Sequence, residues 1–214
     1  SRNLSLCPFN TPWPLYLKSG GSGGDCGVPY DNLFFMPGPG GAGARNNRWY
    51  SFDHGPVHTV VLSSEDDMRD GSPQHAFFAA DLAATRARTP GAWVVVGFHR
   101  PVWGSSVIEF APERAPIRAA LQPLFLQYKV DVCLSGHVHQ YQRSKCRLGA
   151  TGSCDPAGVV YLTVGSAGPT NTNTFLPTGT WVQSKENGIV RFDVVNHTHM
   201  RGSFLQGESG TILD

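Results

Sequence analysis

Val130-Asp131-Val132-Cys133-Leu134-Ser135-Gly136-His137-Val138-His139, VDVCLSGHVH, is the stretch that decides the fold. Its first half is a short, almost unbroken apolar run, the pattern of a strand buried on both faces. Its second half turns at Gly136, where the missing Cβ lets the backbone bend sharply, and then presents two histidines. The same order occurs upstream: Ala92-Trp93-Val94-Val95-Val96-Gly97-Phe98 runs directly into His99-Arg100-Pro101. In sheets built from such strands, ligands collect beyond the carboxyl ends. His99, His137 and His139 are therefore expected at one edge of one sheet. His137 and His139 at i, i+2 would project to the same side of an extended segment, as two ligands of one metal or one ligand each of two neighbouring metals. Imidazole suits Zn, Fe and Mn alike, so the residue types do not choose the ion. The spacing alone says little, because His197 and His199 share it in a segment that reads as exposed.

Working outward, RWYSFD and VHTVVLSS flank a Gly55-Pro56 turn and read as two strands. SPQHAFFAADLAATRAR reads as a helix with Ser72 as N-cap and Pro73 at its first position. APERAPIRAALQPLFLQY reads as a second helix, interrupted near Pro116 and Pro123. GVVYLTVGS, GIVRFDVV and HTHMRGSFLQ follow as strands without helices between them. Strand and helix alternating, then strands alone, predicts an α/β sandwich of mixed sheets flanked by helices, its edge finished by antiparallel strands. Residues 1–48 are dominated by Gly and Pro and read as an irregular lead-in, long for a compact domain. That suggests a chain that begins partway through a fold, and Ser1 reads as a processing boundary rather than a translation start.

The 214 residues suffice for one domain with a sizeable core, and the net charge of +1 gives no footprint for nucleic acid. The longest apolar run, Ala92 to Phe98, is too short to span a bilayer. Cys146 and Cys154 flank a Gly/Ser/Thr-rich loop and Cys7 and Cys26 bracket another, so each pair is a candidate disulfide. Cys133 lies inside an apolar run and reads as a buried thiol. Four paired cysteines and one buried fit an oxidising compartment; five reduced thiols are the alternative. The sequons at Asn3 and Asn196 also point to a secreted glycoprotein.

Several segments resemble the purple acid phosphatases, members of the calcineurin-like metallophosphoesterase superfamily. GHVHQYQR at Gly136–Arg143 resembles that family's GHVHxYER, and GFHRPVW at Gly97–Trp103 its GHRPMY. RWYSFDHGPVHTVVLSSE at Arg48–Glu65 is similar to WYSFDYGPVHF, and GGDCGVPY at Gly23–Tyr30 to GGECGVPY. The closing strands also match, in order, over roughly residues 20–206. The resemblance implies the C-terminal half of a single catalytic domain spanning residues 1–214. It implies hydrolysis of phosphate monoesters at acidic pH by a ferric ion beside a divalent Fe, Zn or Mn. Two such metals about 3.5–4 Å apart clamp a phosphate and supply a hydroxide nucleophile. Carried over by motif, His99 and His137 would bind the divalent ion and His139 the ferric ion, with Arg100 and Tyr141 as candidates for orienting ligands or phosphate. A secreted, extracellular, vacuolar or lysosomal location goes with the family.

The same comparison shows departures. The family's remaining ligands, an Asp, a bridging Asp, a Tyr and an Asn, lie in segments that precede the matched region, and neither GDxxY nor GNH[DE] occurs in residues 1–214. The N-terminal half of the domain, as a separate chain or a further segment, is therefore the expected partner. Phe98 stands where the family has Gly, and Gln142 where it has Glu. GSSVIEFAPERAP lacks the histidines that plant-type members place there, leaving Glu109 and Glu113 as the nearby acids. Two other functions remain: a calcineurin-like phosphodiesterase or nucleotide pyrophosphatase, and a binding module without catalysis.

Overall fold

The computed structural model describes residues 28–37, 47–105, 111–168 and 180–214. In chain order the elements are α1 (Val28–Leu33), β1 (Tyr50–His54), β2 (Val57–Val61), α2 (Pro73–Arg88), β3 (Trp93–Phe98), α3 (Ala111–Gln127), β4 (Val132–Ser135), β5 (Tyr141–Ser144), β6 (Val160–Val164), β7 (Trp181–Ser184), β8 (Gly188–Val194) and β9 (Met200–Gln206). The apolar runs form the middle of a seven-stranded sheet of order β1-β2-β3-β4-β6-β5-β7. Strands β2, β3, β4 and β6 are mutually parallel, and antiparallel β1 on one side and β5 and β7 on the other finish the edges. This is the mixed α/β architecture expected from the sequence.

The period-2 alternation of the strands splits the core in two. Val94, Val96 and Phe98 of β3 join Phe78 and Leu82 of α2 and Ile117, Leu121 and Phe125 of α3 in one buried cluster. Val95, Val132 and Leu162 face the other way, toward Phe204 of β9 with Val190, Phe192 and Met200 packed alongside. Helices thus cover one face of the sheet and the β8–β9 hairpin covers the other. The outer edge of β9 carries the returning chain, with Phe204 and Asp214 joined by a 2.9 Å backbone bond. The Asp214 carboxylate is gripped by Arg143 at 2.6 and 2.8 Å and by the Tyr141 hydroxyl at 2.6 Å.

Helix α2 starts as expected: Ser72 accepts from the His75 backbone N–H at 3.1 Å, with Pro73 following. Two expectations need correction, and two strands went unread. Helix α3 runs without interruption through Pro116 and Pro123. Pro123 is exposed and Pro116 half-buried, so carbonyls deprived of a partner can bond water, while Ile117, Leu121 and Phe125 stay anchored in the core. Within the irregular lead-in, Val28–Leu33 forms a six-residue helix. Strands β5 (YQRS) and β7 (WVQS) were not legible, because much of what they bury is polar, including Gln142 and Ser144.

Cys146 and Cys154 form a disulfide, and Cys133 is a buried free thiol. Cys7, Cys26 and Asn3 lie outside the described residues, as does Glu109. The bridge closes a loop of sequence separation 8, whose Gly152, at φ +79°, lies flat on the Trp103 ring. Replacing both cysteines by serine is expected to lower stability by about 2–3 kcal/mol through the freed entropy of the unfolded loop. Denaturant melts of the two forms, compared at equal m-value, check this.

Candidate metal centre

His99 follows the last residue of β3, and Gly136 follows the last residue of its parallel neighbour β4. The backbone carries the strand pairing one step further: Gly136 N–H donates to the His99 carbonyl at 2.9 Å. The chain then turns. Val138 N–H donates to Gly136 O at 2.7 Å and Gln140 N–H to Val138 O at 2.8 Å, two successive tight turns. His137 occupies the left-handed region at φ +64°. A non-glycine residue held there is strained by about 1–3 kcal/mol and persists only where its surroundings enforce it; such residues cluster at functional sites. The expectation of an extended His137–His139 segment is therefore corrected: the pair sits in a coiled turn.

That turn brings His137 onto His99. His137 Nδ1 lies 2.8 Å from His99 Nε2, with the rings 4.7 Å apart edge to face. His139 is exposed beside them, close enough that its charge would act on both rings. Burial holds the His137 pKa down, to about 4, with further lowering from His99 and Arg100. The His99 pKa is lowered in the same way, chiefly by burial. Both shifts favour the neutral ring, the form that binds metals.

Arg100 and Glu65 frame the pair. Arg100 is 9% exposed, and its Nε and Nη2 donate to the two Glu65 oxygens at 2.6 and 3.2 Å. The Arg100 backbone N–H donates to Ser64 Oγ at 3.2 Å. Sequence reasoning did not single out Glu65. It lies four residues beyond the end of β2, at the same carboxyl edge, and that position was the available signal. Tyr141 is placed elsewhere: its hydroxyl is taken by Asp214 and its ring stacks on Phe204 at 4.1 Å. His58 is a buried, satisfied residue, with Asp53 and Asp81 each 2.7 Å from one ring nitrogen. His197 and His199 lie in the exposed turn between β8 and β9, as does Asn196, whose Oδ1 accepts from the Thr198 hydroxyl at 2.8 Å.

The donor set fits part of a metal centre. Two nitrogens sharing an ion, each about 2.0–2.1 Å from it, stand roughly 3–3.5 Å apart, so the His99–His137 pair needs to open by only a few tenths of an ångström. Among the described residues, no three His, Cys, Asp or Glu side chains converge tightly enough to hold an ion by themselves. Among the described residues, the Glu65 carboxylate at this edge is engaged by Arg100.

Comparison with known proteins gives the family and the fold. A family model described as calcineurin-like phosphoesterase matches residues 10–141, and one described as iron/zinc purple acid phosphatase-like protein C matches residues 158–214. The chain is 38% identical over 174 residues to a probable inactive purple acid phosphatase 9 of Arabidopsis thaliana, covering 75% of this chain and 26% of that protein. It is 29% identical over 204 residues to purple acid phosphatase 1 of Ipomoea batatas, covering 87% and 42%. It is 29% identical over 209 residues to a nucleotide pyrophosphatase/phosphodiesterase of Hordeum vulgare, covering 90% and 55%. A solved purple acid phosphatase from yellow lupin (Lupinus luteus) seeds superposes with a TM-score of 0.76 at 29% identity, over 90% of this chain and 35% of that one. The chain spans between about a quarter and just over half of the length of these curated relatives.

Proposed function

The chain belongs to the calcineurin-like phosphoesterase family, and from that premise we propose that it carries the histidine-bearing part of a two-metal site that hydrolyses phosphate monoesters. The observation that carries this reading is the 2.8 Å contact between His99 and His137 at the ends of adjacent parallel strands, with His137 held at φ +64°. The family implies a binuclear centre; in the finer reading its ions are ferric iron beside Zn, Mn or ferrous iron. His99 and His137 would hold the divalent ion and His139 the ferric ion. When bound, such a pair supplies the positive charge that clamps the phosphate and lowers the pKa of water enough to attack it.

This chain's own residues act around that chemistry. The lowered His137 pKa, about 4, favours the neutral, metal-binding ring, and the His99 shift acts in the same direction. Arg100 is fixed by Glu65 rather than swinging toward substrate. Phe98 and Val102, both buried, anchor the segment that carries His99 and Arg100. The remaining ligands come from the N-terminal part of the same catalytic domain, in one polypeptide or two. The Cys146–Cys154 bridge and the exposed Asn196 sequon suit a secreted or vacuolar glycoprotein. No described helix is long and apolar enough to cross a membrane.

His137→Ala or His139→Ala in the complete protein is expected to lower phosphomonoesterase kcat at least about 100-fold, by loss of a metal ligand. Assays with a chromogenic monoester alongside metal analysis check this, and full activity in either variant contradicts the assignment. A second reading, a binding module without catalysis, is favoured by the lack of a converged carboxylate-bearing cluster among the described residues. It predicts that the complete wild-type protein holds no metal pair.

A further inference from the structure

We propose that Glu65 is a positioning residue for the histidine pair, cancelling the Arg100 charge beside His99 and, with Ser64, fixing the backbone that carries His99. The inference rests on the reading of His99 and His137 as metal ligands. Arg100 directly follows His99, so its guanidinium is a cation tethered one residue from a ligand. Buried and without its counter-charge, this guanidinium would repel a divalent ion brought to the imidazoles. Glu65 answers it with two oxygens at 2.6 and 3.2 Å, the planar fork that guanidinium and carboxylate share.

The clamp also acts through the main chain. Ser64 Oγ receives the Arg100 N–H at 3.2 Å and donates to Glu65 Oε1 at 3.3 Å, while Leu62 N–H donates to Gly97 O at 2.9 Å. On the opposite side the His99 carbonyl receives Gly136 N–H at 2.9 Å. His99 is thus held between the β2 and β4 strand ends, and two of the three bonds that reach its segment come from Leu62 and Ser64. The charges of Glu65 and Arg100 bear on both imidazoles in opposite senses, as their placement requires. Groups that orient metal ligands from behind commonly change affinity about 10- to 100-fold when removed.

The test is Co²⁺ titration of the complete protein, followed by its visible absorption, in wild type, Glu65→Gln, Glu65→Asp, Glu65→Gln/Arg100→Gln and His137→Ala. Glu65→Gln is expected to weaken Co²⁺ binding by about 10- to 100-fold. The double variant should recover most of that loss, because the uncancelled cation is gone as well. Glu65→Asp keeps the charge and should bind more tightly than Glu65→Gln; it also serves if Glu65→Gln does not fold. Wild-type affinity in Glu65→Gln overturns the inference, and so does a double variant as weak as Glu65→Gln, since a mere structural brace would not be rescued. A folded, complete wild-type protein that binds no Co²⁺, or binds it as His137→Ala does, overturns the ligand reading itself and this inference with it.

Discussion

Gly165→Ala is expected to destabilise the folded chain by about 3 kcal/mol or more and to unseat the His137–His139 turn. Gly165 ends the β6 side of the site, immediately after Val164. A Cβ added there would stand 2.1 Å from the Val138 carbonyl oxygen and 3.3 Å from the His139 Cα. Those are backbone atoms of the turn, so no side-chain rotation relieves the overlap. The turn cannot move away cheaply, because it is pinned by Gly136 N–H on His99 and by Gly165 N–H on Gln140 O at 3.3 Å. The strain at His137 makes the turn the weakest part of that arrangement, so it is the part that yields. Denaturant melts should show the loss of stability, and NMR of the imidazole resonances should show His137 and His139 displaced while His58 is unchanged. A Gly165→Ala chain of wild-type stability would mean that the turn is not held as described.

His58→Asn is expected to cost about 2–3 kcal/mol near pH 6 and to remove most of the fall in stability expected of the wild type as pH climbs through the raised folded value. The ring of His58 is 4% exposed and lies between Asp53 and Asp81, 2.7 Å from each. Asp81 also receives the Ser51 hydroxyl at 2.8 Å, and Asp53 the Arg88 guanidinium at 2.9 Å. Only an imidazolium can donate to both carboxylates; a neutral ring leaves one lone pair facing an anion. Asp53 is 54% exposed, which is why the expected cost sits below that of a wholly buried pair. Burial alone would push the His58 pKa down, but the hydrogen bonds and charges of Asp81 and Asp53 outweigh it and leave it raised above 6.5. A raised folded-state value contributes stability that is complete below the unfolded value near 6.5 and is lost as pH climbs through the folded value. The metal-site histidines act in the opposite sense: with folded values below 6.5, and His137 at about 4, they make stability rise with pH over that lower range. The variant should therefore keep the acid limb of the profile and lose the alkaline one. An unchanged alkaline limb would remove His58 as its cause.

What the sequence makes legible here follows from how burial is achieved. Strands β3, β4 and β6 bury aliphatic side chains, and a continuous apolar run reports that directly. Strand β5 instead buries Gln142, whose Oε1 takes the Ser105 N–H at 2.8 Å, and Ser144, whose hydroxyl takes the Tyr161 N–H at 3.1 Å. Such polar partners arrive from a distant loop, as Ser105 does, or from the neighbouring strand β6, as Tyr161 does, and no local pattern announces them. The prolines of α3 suggest a break from local propensity, and long-range packing of Ile117, Leu121 and Phe125 overrides it. At the site, the strand ends carrying His99 and His137 could be read from the order of residues. The left-handed turn at His137 could not, because nothing in Gly-His-Val-His distinguishes it from an extended segment. Nor could the sequence show that Tyr141 turns to Asp214, since that bond joins residues 73 apart.

The measurement that reaches the central claim most directly is site-resolved NMR of the histidine rings during titration of the complete protein with Co²⁺, whose paramagnetism marks the nearest nuclei. The expected result is early broadening or shifting of His99, His137 and His139 together, with His54, His58, His75, His197 and His199 unaffected until excess metal is present. First response at His197 and His199, or a response spread evenly over all eight histidines, would contradict a metal centre at the ends of β3 and β4.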